Sequence, residues 1–352
     1  MPLMSDKIYR LIRPILFRLD AEAAHRVTLA FISRWPVREP SIDPPALATT
    51  AFGVRFANPI GLAAGLDKDA RATNAWAALG FGFAELGTIT PRPQPGNPRP
   101  RIWRLPEHRA MVNRLGFPSA GIEAVAKRIS SAQRNHHAMR IALNFGPNKD
   151  TPVERVAEDY AMLMARCGAE ADFVVMNLSS PNTPGLRDWQ APERIRNVIE
   201  ALRSASKNPP PILIKIAPDL ESAVIGEIAR TAVALNLSGV VATNTTTKRA
   251  EVGITCPYQG GLSGTPLTAL ARDVIRRVYR ATEGKLPIIG VGGVASADDA
   301  WRHLRAGASL IEFYTGMIYQ GPGLAASIKT GLIQMLVRGG HHAIGEVIAA
   351  DA

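Results

Sequence analysis

Short, almost continuously apolar segments recur through the body of this 352-residue chain, and segments with a helical pattern separate them. Parallel strands that are covered on both faces have this apolar character, and regular alternation with helices indicates repeated βα units. Eight such units predict an α/β protein with a (β/α)8 TIM barrel, and a doubly wound open sheet is the main alternative. The predicted strands cover residues 60–64, 84–88, 141–144, 173–176, 212–216, 239–243, 287–291 and 310–313, and the predicted helices include 69–79, 153–167, 192–204, 222–235, 267–282 and 297–305.

Two amphipathic helices are predicted ahead of the barrel. Residues 7–18 place apolar side chains on one helical stripe and basic side chains largely on the other side. Asp20 is suited to cap a second helix over residues 21–34, and we expect Pro14 to kink or divide the first helix. The pattern fits helices that pack against the barrel, and it also fits a basic hairpin that rests on an anionic membrane surface.

A Pro-rich connector follows these helices and divides the chain. We expect an N-terminal helical extension over residues 1–45 and a barrel over residues 46–352. No apolar run approaches the roughly 20 residues that span a bilayer, and the N-terminus lacks the pattern of a signal peptide.

Composition narrows the class of protein without identifying a partner. The net charge of +11 favours anionic ligands or surfaces, but the basic residues form no long run. Cys167 and Cys256 are the only cysteines, and their spacing does not predict a disulfide framework or a zinc site. The seven histidines make no HExxH motif, so we expect no metal.

Polar residues gather where the predicted strands end, which is where barrel enzymes place their active sites. Capping of the following helices explains about half of them. It does not explain two lysines at strand ends, because buried lysines are scarce unless a ligand or an acid pairs with them. The residues concerned are Gly65, Asp67, Lys68, Thr88, Asn144, Asn177, Lys215, Thr243, Asn244, Thr245, Tyr314 and Thr315.

The glycines that follow the seventh strand predict a phosphate site. Gly290, Gly292 and Gly293, together with Gly264, let backbone N–H groups approach an anion at the position where barrels commonly bind phosphate. No GxGxxG motif opens a dinucleotide fold, so a mononucleotide is favoured. Flavin mononucleotide (FMN) fits, because a lysine near its ring stabilises the negative charge of the reduced form.

The turn after the fourth predicted strand, residues 177–187, combines amides and hydroxyls with proline and glycine. Such a turn presents side chains at the end of a strand. Its amides suit recognition of a small polar ring, and a hydroxyl between them suits proton transfer. A loop that only reverses the chain direction has the same composition, so this segment alone leaves both interpretations open.

The long connection between residues 88 and 141 is expected to be a lid or part of the site.

Several long segments resemble the class 2 dihydroorotate dehydrogenases, the membrane-associated, quinone-reducing class of that family. The similarity covers nearly the whole chain. It rests on residues 61–68, 87–97, 113–117, 177–183, 260–264 and 289–293, which occur in the order of the family's motifs.

The resemblance implies non-covalent FMN at the mouth of a (β/α)8 barrel, beside a pyrimidine site. The matching FMN positions are Ala63, Ala64, Gly65, Leu66, Asp67, Lys68, Thr88, Asn144, Asn177, Lys215, Thr243, Gly264, Gly293, Tyr314 and Thr315. The matching substrate positions are Lys68, Asn113, Arg114, Leu115, Gly116, Phe117, Asn177, Asn182, Asn244 and Thr245.

The resemblance also implies that Ser180 is the catalytic base, which takes the C5 proton of (S)-dihydroorotate while C6 passes a hydride to the flavin and orotate is formed. A free serine is a very poor base, so the proton must be relayed onward, and Thr183 and Thr245 are candidate relay groups. The family's quinone channel matches His25, Arg104 and Tyr314.

The same resemblance favours the membrane alternative for the N-terminal helices. It implies peripheral attachment to the cytoplasmic side of a bacterial inner membrane, a role in pyrimidine synthesis, and neither nucleic acid nor an iron–sulfur subunit as a partner. One departure is Pro147, where many relatives have lysine, so the shape of that loop is left open. Two functions are alternatives to a quinone-dependent dehydrogenase. One is a soluble class 1-like enzyme that passes electrons to fumarate or NAD, which cysteine at position 180 would have favoured. The other is a basic, non-enzymatic module that binds RNA or lipid without flavin.

Overall fold

The protein folds around a closed parallel barrel. The computed structural model describes residues 6–34, 42–132, 139–179 and 192–352. Within these ranges eight parallel strands pair in chain order, and the last pairs with the first. The barrel strands are β3 (Ile60–Leu62), β4 (Phe83–Ile89), β7 (Arg140–Phe145), β8 (Phe173–Asn177), β9 (Ile212–Ile216), β10 (Gly239–Ala242), β12 (Ile288–Val291) and β13 (Leu310–Phe313).

Helices surround this barrel and bury their apolar faces against it. The first barrel helix begins at Thr73 rather than at residue 69, because the Asp67 carboxylate accepts the N–H groups of Arg71 and Ala72 and forms a turn there. The helices outside the N-terminal extension are α3 (Thr73–Ala78), α4 (Ile122–Ser131), α5 (Val156–Cys167), α6 (Pro192–Ser204), α7 (Ser222–Ala234), α8 (Thr268–Thr282), α9 (Ala297–Arg305), α10 (Thr315–Gln320) and α11 (Leu324–Gly339).

A short hairpin closes the N-terminal end of the barrel. Strands β1 (Thr49–Ala51) and β2 (Val54–Phe56) pair antiparallel, and the ring of Phe52 at their turn lies 4.8 Å from that of Phe173. Phe56 and Phe83 are fully buried in the same aromatic cluster. Aromatic side chains therefore fill this end of the barrel.

The long connection after β4 builds a second sheet at that C-terminal end. It contributes β5 (Ile102–Leu105) and β6 (Ala110–Asn113), which form an antiparallel sheet with β11 (Gly261–Gly264). The prediction placed this connection at the site but did not identify its strands.

The N-terminal extension consists of α1 (Asp6–Arg18) and α2 (Ala21–Ile32). The α1 helix is continuous through Pro14, so of the two effects predicted for this proline, a kink or a division, the division is wrong. Asp20 caps α2 as predicted and accepts the Ala23 N–H at 2.9 Å. Tyr9 donates to the Ile318 carbonyl at 2.6 Å, which fixes α1 against the end of the barrel.

Candidate functional site

A large open cavity lies above the C-terminal ends of the barrel strands. Its empty volume is about 1120 Å³, part of which is open to solvent, and this suits a ligand of at least mononucleotide size. Most of the predicted site residues line it. They are Ala63, Ala64, Gly65, Lys68, Thr88, Asn113, Leu115, Gly116, Phe117, Asn177, Lys215, Thr243, Asn244, Thr245, Gly264, Gly293, Tyr314 and Thr315.

Amide and hydroxyl groups from three neighbouring strands form one network at the floor of this cavity. Thr88 on β4 donates to the Asn144 side-chain oxygen on β7 at 2.6 Å. The Asn177 amide on β8 donates to the Thr88 hydroxyl at 3.1 Å and to Asn144 at 3.2 Å. All three residues are buried, so their mutual hydrogen bonds fix which polar atoms face a ligand.

Lys215 lies at the same floor and is paired with an acid. Its ammonium nitrogen is 3.0 Å from the nearer carboxylate oxygen of Glu85, and both side chains are buried. Burial acts to lower the pKa of Lys215, but the charges of Glu85 and Glu312 and the hydrogen bond to Glu85 together outweigh it, so the pKa of this lysine is raised. Lys215 therefore holds a permanent positive charge against the cavity.

Lys68 is the second cation at the cavity, and its environment differs. Its ammonium group donates to the Gly65 carbonyl at 2.5 Å. Desolvation lowers the pKa of Lys68 to about 8, and the nearby charge of Asp69 only partly opposes this. A lysine that is poorly compensated and faces a cavity is suited to bind an anion.

A further set of polar groups lies beside the end of β8. Ser179 donates to the Asn177 side-chain oxygen at 3.0 Å and accepts the Asn244 amide at 2.9 Å. Asn244 in turn accepts the Thr245 N–H at 2.7 Å. The amides of Asn177 and Asn244 are thus held side by side, as recognition of a polar ring requires. The predicted residues Ser180, Asn182 and Thr183 lie outside the described residues.

Glycines at the other end of the cavity leave the backbone itself as its surface. Gly264 and Gly293 adopt φ values of +101° and +75°. A Cβ at Gly264 would lie 2.4 Å from the Arg109 carbonyl, and one at Gly293 would lie 2.0 Å from the Thr268 hydroxyl. Only glycine fits both positions, and the resulting cradle suits the phosphate of a ligand whose ring reaches the amide network.

A second cavity separates the N-terminal helices from the barrel. It has an empty volume of about 860 Å³, and its walls are mostly apolar. His25, Arg104 and Tyr314, the three residues predicted for a channel, all line it. Ile102, Met111 and Tyr314 line both cavities, so the two spaces share a wall.

The three polar residues predicted for the channel have a defined orientation or protonation state. Arg104 donates to the carbonyls of Phe17 at 3.2 Å and Leu19 at 3.0 Å, and it lies over the Phe17 ring. Desolvation lowers the pKa of His25 to about 3, so its imidazole is neutral at physiological pH. Burial raises the pKa of Tyr314 to about 12, which keeps its hydroxyl protonated.

Among the described residues that were predicted for FMN or the substrate, four do not line the first cavity. Leu66 lines the second cavity instead, and Asp67 is buried beneath the loop, where it accepts the Trp76 indole N–H at 2.9 Å. Asn144 acts through its hydrogen bonds to Thr88 and Asn177. Arg114 lies over the Trp103 ring.

Some residues of the site were not predicted. Ile102, Met111 and Ser263 belong to the second sheet, whose strands carry no strong pattern of their own. Glu85 and Glu312 are charged residues inside fully buried barrel strands, and a charge within an otherwise apolar strand is the signal that could have found them.

Neither a metal cluster nor a spanning helix is present in the part of the chain that the structure describes. There, no three His, Cys, Asp or Glu side chains are grouped so that they could hold a metal ion. No helix within the same ranges has both the length and the apolar character needed to cross a bilayer.

Comparison with known proteins gives a consistent result. A family model described as dihydroorotate dehydrogenase matches residues 46–336. The dihydroorotate dehydrogenase (quinone) of Roseiflexus castenholzii is 47% identical, over 98% of this chain and 97% of that protein. The protein of the same name from Acidithiobacillus ferrooxidans is 45% identical, over 95% of this chain and 96% of the relative.

Solved structures show the same similarity. The crystal structure of DHODH from Eimeria tenella in complex with ferulenol has a TM-score of 0.88 and 36% sequence identity, and the match covers 94% of this chain and 95% of that one. A ligand-free structure from the same organism also has a TM-score of 0.88, with 94% of this chain and 99% of that chain covered.

Proposed function

The chain belongs to the dihydroorotate dehydrogenase family, in its quinone-dependent class, and from that premise we propose how its residues carry out the reaction. It oxidises (S)-dihydroorotate to orotate by way of a flavin and delivers the electrons to a quinone, a step of pyrimidine synthesis. The observation that carries our assignment of the parts is the pair of cavities with a common wall. The first is the more polar of the two and suits the flavin and the pyrimidine, and the second is almost entirely apolar and suits the quinone.

The first cavity fits FMN in particular. The cradle around Gly264 and Gly293 would hold its phosphate, and Thr88 and Asn177, which Asn144 holds in place, would meet the polar edge of its ring. Bound FMN supplies the acceptor for the substrate's hydride and the donor of electrons to the quinone. Lys215, charged and anchored by Glu85, would stabilise negative charge on the ring.

The substrate is held by groups that recognise a flat, anionic ring. Lys68 would pair with the carboxylate of dihydroorotate, while the amides of Asn113, Asn177 and Asn244 would read the ring's oxygens and N–H groups. Asn182 and the loop of residues 114–117 would complete the enclosure. Their effect is to orient C6 toward the flavin and to exclude water.

We assign the removal of the C5 proton to Ser180. Ser179, the residue before it, bonds to Asn177 and Asn244, so Ser180 directly follows a residue that is held beside the substrate amides. The proton then passes from Ser180 to Thr183, Thr245 or a water, because a serine cannot retain it.

The quinone would enter between α1 and α2 and bind near His25, Arg104 and Tyr314. Neutral His25 and protonated Tyr314 offer hydrogen bonds to a quinone oxygen without the cost of a buried charge. Exposed apolar side chains on the two helices would rest on the membrane. In this proposal residues 1–45 are the quinone entrance, residues 46–352 are the FMN-binding barrel, and the protein attaches peripherally to the cytoplasmic side of the inner membrane.

Replacement of the base tests this assignment. We expect Ser180→Ala to lose at least 100-fold in turnover, in line with the contribution of a general base, and to retain its bound flavin. Ser180→Cys is the matched control, because the thiolate of cysteine can accept a proton and should restore part of the rate. The readouts are the flavin absorbance spectrum and the rate of flavin reduction by dihydroorotate. A Ser180→Ala protein that reduces its flavin at the normal rate would refute the role of Ser180.

A further inference from the structure

Three charged side chains from separate strands meet inside the barrel, beneath the floor of the polar cavity. Glu85 projects from β4, Lys215 from β9 and Glu312 from β13. Both glutamates are completely inaccessible to solvent, and Lys215 is 4% exposed. Lys215 lines the cavity, whereas the two glutamates do not.

The two glutamates have unequal partners. Glu85 accepts hydrogen bonds from Lys215 at 3.0 and 3.3 Å, and one of its oxygens also accepts the Asn144 amide. Glu312 lies 3.9 Å from Lys215, which is too far for a hydrogen bond. Neither oxygen of Glu312 faces a donor among the described residues.

One ammonium group cannot balance two carboxylates in a site closed to water. A buried carboxylate without donors is strongly disfavoured unless it takes up a proton. Burial, and then the adjacent charge of Glu85, raise the pKa of Glu312 well above its usual range, and the charge of Lys215 only partly opposes this. With one proton added, the cluster is neutral.

We propose that Glu312 is a protonated carboxylic acid that donates a hydrogen bond to Glu85 and so holds Glu85 and Lys215 in place beneath the flavin. Glu312 is a positioning residue in this account, because it touches neither the substrate nor the cavity. Without its proton the second carboxylate would repel Glu85 and draw the Lys215 ammonium group away from the cavity floor. The inference rests on the proposed function only in naming flavin as the group above Lys215.

Infrared spectroscopy of the full-length holoprotein with carboxyl-labelled glutamate tests the proton directly. We expect an isotope-shifted C=O band of a carboxylic acid at neutral pH, and we expect Glu312→Gln to remove it. Glu123→Gln, at an exposed ion pair, is the matched control and should leave the band unchanged. Absence of the band from the wild type, or its survival in Glu312→Gln, would overturn the proposal.

A second measurement separates positioning from packing. Glu312→Leu fills a similar volume but cannot donate to Glu85, and we expect it to bind FMN at least tenfold more weakly. Glu312→Gln keeps a neutral donor and should restore the affinity to within threefold. Equal affinities of the two variants for FMN would contradict the positioning role.

These readouts are independent of the reaction itself. Because neither requires dihydroorotate or a quinone, a failure of the proposed function would leave the protonation of Glu312 standing. Conversely, a normal quinone reductase without the carboxylic acid band would refute only the inference about Glu312.

Discussion

Lys68 and Lys215 face the same cavity, but their neighbours give the two ammonium groups different chemistry. Lys215 keeps its charge because Glu85 lies 3.0 Å away, whereas Lys68 donates to a backbone carbonyl and has a pKa of about 8. The sequence predicted both lysines at strand ends. It could not predict which one is paired, because Glu85 and Glu312 reach Lys215 only when the barrel closes.

The lowered pKa of Lys68 predicts how binding of orotate depends on pH. Below about pH 8, Lys68 of the unliganded protein is already charged and can bind the orotate anion. Above that pH Lys68 is neutral, so binding of orotate requires the uptake of a proton. We expect the dissociation constant of orotate to rise about tenfold per pH unit above pH 8. Titration of the flavin spectrum with orotate measures it. Lys68→Met should bind orotate weakly, and its dissociation constant should not change with pH in this way. An identical pH dependence in that variant would exclude Lys68 as its source.

The glycine cradle gives a second prediction at the scale of the residue. Gly293→Ala places a Cβ against Thr268 and must displace the loop, so we expect at least tenfold weaker binding of FMN. Gly253→Ala is a matched control, since Gly253 has φ +73° but open space around it, and its FMN affinity should be unchanged. Dialysis followed by measurement of residual flavin absorbance compares the two. Equal retention of flavin would show that the cradle does not hold the cofactor.

Individual elements were predictable to different degrees. The strand Leu310–Phe313 and the helix Pro192–Ser204 agree with the predicted bounds, because an apolar run or stripe defines each of them. The antiparallel sheet was missed, since its strand Gly261–Gly264 is short and glycine-rich and pairs with a segment distant in sequence. The sequence did not decide between a kink and a division of α1 at Pro14. The helix is continuous there: Tyr9 and Arg13 hydrogen-bond to the barrel before the proline, and Arg104 donates to the Phe17 carbonyl after it.

The exposed face of α1 predicts membrane attachment. Leu11 is 76% exposed and Ile15 is 64% exposed, although both are apolar. Burial of such side chains in lipid contributes about 1.5–3 kcal/mol each, so Leu11→Asp with Ile15→Asp should weaken binding to anionic vesicles at least tenfold. Val337→Asp is the control: Val337 is 73% exposed but lies on α11, outside the N-terminal helices, so its replacement should leave vesicle binding unchanged. Cosedimentation with vesicles measures the binding. Unchanged binding of the double variant would show that the membrane contact does not involve this face of α1.

At the scale of the whole molecule, a site lined by polar groups and an apolar cavity occupy different positions in the fold. One end of the barrel is closed by the β1–β2 hairpin, so polar groups gather at the other end, and the N-terminal helices add an apolar cavity beside it. The barrel and the family were predicted from the sequence, and both are confirmed. The common wall formed by Ile102, Met111 and Tyr314 was not predicted, because it joins segments whose proximity arises only in the folded chain.

We expect electrons to pass from dihydroorotate to a quinone through a flavin in this chain. Anaerobic stopped-flow mixing follows both halves of this transfer. The yellow protein should be bleached by dihydroorotate, recover its colour within turnover time on addition of a short-chain quinone, and stay bleached with fumarate or NAD. A protein without flavin, or one that fumarate or NAD reoxidises while quinone does not, would contradict the account.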